Sequence, residues 1–229
     1  MADSPRGLPV KQTIKLSGLR KTMSQTMKAS VQTAALSQVN REIDVTDLHE
    51  RRGALGVSLN TLLMAVVARS LPNHPLLNAE LVENQILVYD AVNLGMAVSV
   101  TDGLIVVVIP NADKLSLTEL NAAIQDKAER ARSGKLTMPD VEGGTFTVSN
   151  LGMYGIDGGF PIPRAPEAGI LLIGAARPQP AVHEGQIAIR TIARFSINFD
   201  HRFIDGAAAA AFLQMLDERI TRPDTWLEA

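Results

Sequence analysis

The sequence contains no cysteine. That absence excludes disulfides, cysteine-ligated metals and a cysteine nucleophile, fits a reducing compartment, and means that any thiol chemistry must come from a substrate. Runs of like charge are missing as well. The 22 Lys and Arg against 24 Asp and Glu leave a formal charge of −2, which gives no electrostatic footprint for nucleic acid or an anionic membrane. Long hydrophobic runs are also lacking. The longest, at 104–109 and 168–176, are too short to span a bilayer, and the opening MADSPRGLPVKQ has no signal-peptide core. Together these absences predict a soluble cytoplasmic chain with neither nucleic acid nor membrane as partner. What is present is an ordinary globular balance, 46% hydrophobic and 20% charged. The length suits one large domain or two small ones. Residues 1–9, polar and interrupted by Pro and Gly, read as a disordered linker stub of a longer protein, and 10–229 as the folded domain.

Periodicity predicts the elements. Leu19, Met23, Met27 and Val31 repeat every four residues behind Ser17, as in an amphipathic helix. SQVNREIDV alternates like a half-buried strand, and DVTDLHERR opens a second helix. Ser58 caps a buried helix, NTLLMAVVARSL, which Pro72 closes. Several short strands follow between Leu77 and Pro110, broken by Asn84, Asp90 and Asp102-Gly103. Ser116 and Glu119 form a capping box for a helix that runs to Gly134. GGTFTVSNLG then reads as a strand entering a Gly- and Pro-rich loop, and AGILLIGAA as a buried strand. QIAIR and TIARFSINF, the tight segment DHRFIDG and a helix from Ala207 to about Ile220 complete the pattern. Helices and strands interleave without a regular βαβ beat, which predicts one α+β domain with a mixed sheet.

Four histidines are present. His49, His74 and His183 lack companions at ligand or triad spacing and read as solvated surface residues. His201 differs: it directly follows an apolar strand, between Asp200 and Arg202, with Asp205-Gly206 four residues on. A side chain fixed at a strand end suits a general base. On spacing alone, the segment reads equally well as a helix cap by Asp205 with His201 filling a turn.

SINFDHRFIDG resembles the His-x-x-x-Asp-Gly signature of the dihydrolipoyl acyltransferase core of 2-oxo acid dehydrogenase complexes, which shares the chloramphenicol acetyltransferase fold. LSGLRKTM, NREIDVTDL, HPLLNAEL, VNLGMAVSVTDGLIVVVIPNADKLSL and GGTFTVSNLGMYG resemble the family in the same order, over about two hundred residues. The resemblance implies an α+β, chloramphenicol acetyltransferase-like fold and a trimer. It also implies acyl transfer between a dihydrolipoyl thiol and CoA by direct attack in a ternary complex. His201 matches the general base, Ser149 the hydroxyl that donates to the oxyanion, Asp205 the carboxylate that braces the site, and Arg20 its ion-pair partner. CoA is then a substrate, the lipoyl group rides on another domain or chain, and no metal is involved. The implied partners are further copies in a homotrimer or higher oligomer, a lipoyl domain and the dehydrogenase subunits, with the His of one chain facing the Ser of its neighbour.

Departures from the family accompany the likeness. Val107 replaces a proline in GLIVVVI, and Pro163-Arg164 replaces an Ile-Asn pair in the loop at 158–167. The tail DTWLEA lacks a Leu-rich end, so Trp226 and Leu227 are the apolar residues left to anchor a cage. Two other readings stay open: a non-catalytic scaffold, and a free-standing CoA acyltransferase with another small acceptor. The acyl group and the CoA contacts are not legible.

Overall fold

The computed structural model describes residues 6–101 and 103–227. The linker assignment for residues 1–5, the side chain of Leu19 and the turn residue Asp102 lie outside them. The chain runs α1 (Gly18–Thr33), β1 (Leu36–Asp44), α2 (Thr46–Leu55), α3 (Leu59–Ser70), β2 (Ala79–Val82), β3 (Gln85–Val88), β4 (Leu94–Val100) and β5 (Gly103–Ile109). It continues through α4 (Leu117–Arg132), β6 (Phe146–Asn150), β7 (Gly169–Ile173), β8 (Arg177–His183), β9 (Gln186–Asp200), α5 (Gly206–Thr221) and α6 (Asp224–Leu227). The predicted caps are present: Ser58 Oγ accepts from the Thr61 amide, and Ser116 and Glu119 satisfy each other's backbone groups at the start of α4.

The main sheet has the order β1-β9-β7-β6-β4-β5, with β8 paired to β9 alone. β4, β6 and β7 are mutually parallel and the remaining pairs antiparallel, so the sheet is mixed as the sequence predicts. Period-2 alternation divides its two faces. Phe146, Val148, Leu171, Phe195, Ile197 and Phe199 point into the core beside α3 and α5, while Thr147, Ser149, Ser196, Asn198 and Asp200 are buried polar residues. Val107, where the family has proline, is fully buried in β5 and pairs with Met96.

Three expectations change. QIAIR and TIARFSINF are one 15-residue strand, β9, whose first half pairs with β8. β8 carries Pro178 and Pro180, which argue against a strand in sequence, yet it is tolerated because no strand pairs with its other side. The C-terminal tail also differs. Trp226 is only 8% exposed: its indole Nε1 donates to the Arg219 carbonyl at 2.8 Å and the Arg69 guanidinium lies 5.5 Å from its ring centre. The indole is therefore occupied by its own chain and does not stand out as an anchor for a neighbouring trimer. By contrast α1, expected to bury its apolar stripe, leaves Met23 and Val31 exposed.

Trp226→Ala is predicted to cost about 3–5 kcal/mol of folding stability, the range for emptying a buried aromatic site, without changing particle size. Urea unfolding and light scattering check this; an unchanged midpoint would contradict the self-docked tail.

Candidate active site

His201 is the first residue after β9, and the turn that carries it is tied down on every side. Its amide donates to the Ala35 carbonyl at 2.8 Å. The preceding Asp200 side chain accepts from the Ala35 and Arg202 amides at 3.2 and 3.1 Å and takes the Arg202 guanidinium in a fork, at 3.0 Å from Nε to Oδ1 and 2.6 Å from Nη2 to Oδ2. Such bidentate, charge-assisted contacts fix orientation as well as position. The His201 ring itself is exposed, lies 5.6 Å from the Phe199 ring, and has no hydrogen-bond partner among the described residues.

Ser149 is the penultimate residue of β6, 8% exposed, and its hydroxyl also makes no hydrogen bond among the described residues. It lies in the wall of a cavity of about 700 Å³ at the carboxyl ends of the parallel strands β4, β6 and β7, under α3 and α4. The following residue holds this corner in shape. Asn150 donates to Asn60 on α3 at 3.0 Å and accepts from the Gly152 amide at 2.9 Å.

The register shows how far apart the two groups stand. Ser149 pairs with Leu172, which pairs with Ser196 on β9, five residues before His201. Five residues of strand at about 3.3 Å each and two strand spacings of about 4.8 Å give a separation of roughly 20 Å. One chain therefore does not bring His201 and Ser149 to one reacting bond.

Asp205 is the N-cap of α5, its Oδ1 accepting from the Ala208 amide at 2.7 Å. One oxygen of the carboxylate thus caps the helix. Arg20 is exposed in the first turn of α1. Thirteen helical residues, about 20 Å at 1.5 Å each, separate it from Thr33, the end of α1 that adjoins the His201 turn. The other histidines also need one correction. His49 and His183 are partly exposed, but His74 is half-buried with its ring edge-on to Phe212 at 5.3 Å, and burial with the nearby Arg219 charge lowers its pKa.

Sequence reasoning missed two features of the site. The cavity walls come from residues on separate elements, including Leu63, Met64, Met96 and Ile124, which read individually as core. The departure in the 158–167 loop also has a structural role. Glu167 is fully buried and accepts from Thr147 Oγ1 at 2.5 Å and from Arg164, whose other arm reaches the Val141 carbonyl at 2.7 Å. This links the loop to the strand that carries Ser149. Burial pushes the Glu167 carboxyl above its ordinary range, and the Arg164 charge and the Thr147 hydroxyl oppose that rise.

Comparisons with known proteins follow from this geometry. The profile of the family described as 2-oxoacid dehydrogenases acyltransferase (catalytic domain) matches residues 9–228. The dihydrolipoyllysine-residue acetyltransferase component of the acetoin cleaving system of Bacillus subtilis (strain 168) is 35% identical over 222 residues, 93% of this chain and 56% of that protein. Thus the chain spans about half the length of such relatives. A probable dihydrolipoamide acetyltransferase from Listeria monocytogenes superposes with a TM-score of 0.89 at 30% identity, covering 93% of this chain and 95% of that one. A dihydrolipoamide acetyltransferase of Azotobacter vinelandii, studied for the role of a serine, a histidine and an asparagine in its catalytic mechanism, gives 0.86 at 31% identity with the same coverage.

Arg164→Ala is predicted to destabilise the fold by about 3–5 kcal/mol, because it leaves a buried carboxylate without its cation. The sign with pH is set by the raised Glu167 value. Removing Arg164 deletes a charge that lowers the Glu167 value, so the variant's carboxyl rises further, takes up more proton on folding than the parent's, and the deficit shrinks as pH falls toward the ordinary Glu range, about 4.3. Urea midpoints of parent and variant at two pH values test this; a deficit that grows on acidification would refute the assignment.

Proposed function

The chain belongs to the catalytic-domain family of 2-oxoacid dehydrogenase acyltransferases, and from that membership we propose that it moves an acyl group between a dihydrolipoyl thiol and CoA as the core of a 2-oxo acid dehydrogenase complex. One observation carries the reading. In the Azotobacter enzyme the studied serine and histidine are 52 positions apart and the asparagine follows the histidine by four; Ser149, His201 and Asp205 have the same separations, with a carboxylate replacing the carboxamide.

The chemistry suits these groups. A thiol is a poor nucleophile until deprotonated. His201, exposed on a rigid turn, takes the proton from the CoA thiol, and the thiolate sulfur attacks the carbonyl carbon of the S-acyl dihydrolipoyl group. The tetrahedral intermediate places negative charge on the former carbonyl oxygen, and the Ser149 hydroxyl donates to it. The carbon–sulfur bond to the dihydrolipoyl group then breaks, and the imidazolium returns its proton to the departing sulfur. Acyl-CoA and the free dithiol result, with no acyl-enzyme.

The roughly 20 Å between His201 and Ser149 within one chain favours a site shared between copies. A homotrimer in which the His201 turn of one chain faces the Ser149 cavity of the next supplies both groups to one thioester. Exposed apolar side chains on α1 and on the β8–β9 hairpin, including Met23, Val31, Val182 and Ile187, suit such association. The lipoyl group and the dehydrogenase subunits enter as partners on other domains or chains.

His201→Ala is predicted to lower kcat by about two to four orders of magnitude, and Ser149→Ala by about two to three, with the fold retained. Steady-state assays with S-acyl dihydrolipoamide and CoA check both. Mixing the two inactive proteins under conditions of subunit exchange should restore part of the activity. Wild-type turnover by a folded His201→Ala protein would refute the base, and an acylated Ser149 would refute the direct mechanism.

A further inference from the structure

The cavity beside Ser149 bears on a question that the reaction class leaves open, namely which acyl group is carried. Its walls are mainly apolar, with Leu63, Met64, Met96, Val98 and Ile124 among them, while Asn60, Ser99, Ser149, Asn150 and Tyr154 contribute polar atoms. Val45, Met64 and Ala193, all buried core residues, form part of its inner wall, so the space ends inside the protein. Among the described residues no acidic side chain lines it. Among the described residues Arg132 is the one charged residue in the lining, and it is solvent-exposed on the last turn of α4, where it also lines the open groove adjoining the cavity.

Resting on the acyltransferase reading, we infer that this cavity receives the acyl chain itself and selects an uncharged, apolar group larger than acetyl, of the branched-chain class. The carbonyl oxygen placed at Ser149 directs the substituent on the same carbon into the space beyond. An acetyl methyl leaves most of that wall without a partner and forgoes the dispersion contacts that a branched chain makes. A carboxylate-bearing chain such as succinyl meets no buried cation, and an unpaired charge among Met64, Met96 and Leu63 is strongly disfavoured. The methionines add adaptability, since an unbranched thioether side chain repacks around ligands of irregular shape.

Relative kcat/KM for S-acetyl, S-isobutyryl, S-isovaleryl and S-succinyl dihydrolipoamide at saturating CoA tests this on the whole chain. The branched donors should exceed acetyl by about tenfold or more, with succinyl last; one methylene in an apolar pocket is worth about 10- to 200-fold. Ala128→Leu, which narrows the cavity from the α4 side, should lower the branched donors about 10- to 100-fold more than acetyl. A preference for succinyl that Arg132→Ala removes overturns the inference. So does an equal loss for every donor in Ala128→Leu, which assigns the space to the lipoyl chain or CoA instead. Should no donor be turned over, the transferase reading fails; titration of the isovaleryl and acetyl thioesters by calorimetry then decides the cavity's selectivity separately, and equal affinities overturn it.

Discussion

Everything at the site depends on the register of β9. This strand is long enough to pair with β8 along its first half and with β1 and β7 along its second, and it ends at Asp200. Because side chains alternate with period 2, a slip of one residue would turn Phe195, Ile197 and Phe199 out of the core. Their burial therefore locks the strand, and with it the position of His201 one residue beyond the end. The Asp200 hydrogen bonds to Ala35 and Arg202 then convert a strand terminus into a rigid mount. The same register fixes Ser149 five residues back and two strands across, which makes the chain's two reactive groups distant by construction.

A division of labour follows from that spacing. The Ser149 end is recessed, with a mainly apolar cavity, the Asn150–Asn60 link and the buried Glu167–Arg164 pair behind it. The His201 end is exposed on its turn. Catalysis by acid–base and oxyanion groups needs both within hydrogen-bond reach of one thioester. In the proposed trimer, association of chains would satisfy that need at the contact between an exposed turn and the Ser149 cavity, and it would couple activity to assembly without any moving part.

The sequence carried the elements well where local chemistry is decisive. The Ser58 cap, the Ser116–Glu119 box and the strand character of β1 and β6 all act over a few residues, and the fold has them where expected. It carried them poorly where a distant neighbour decides. β8 forms despite two prolines because its open edge asks nothing of their missing N–H groups. Trp226 reads as a free apolar anchor until the Arg219 carbonyl and Arg69 are seen to hold it. His201 was legible from its place at a strand end, but Ser149 stood out only through the family likeness, since a serine before an asparagine is an ordinary turn pattern. Asp205 and Arg20 show the opposite case: within one chain the first is a helix cap and the second an exposed helix residue.

The central claim is that the reactive pair is completed between chains, and the natural absence of cysteine gives a direct measurement. Ser149→Cys and His201→Cys introduced in separate chains, mixed and treated with a bismaleimide too short for the roughly 20 Å separation within one chain, should yield a covalent dimer on a denaturing gel. The doubly substituted chain should give covalent multimers. A cross-link confined within single chains, seen as a loop between positions 149 and 201 in the digested monomer, would contradict the account.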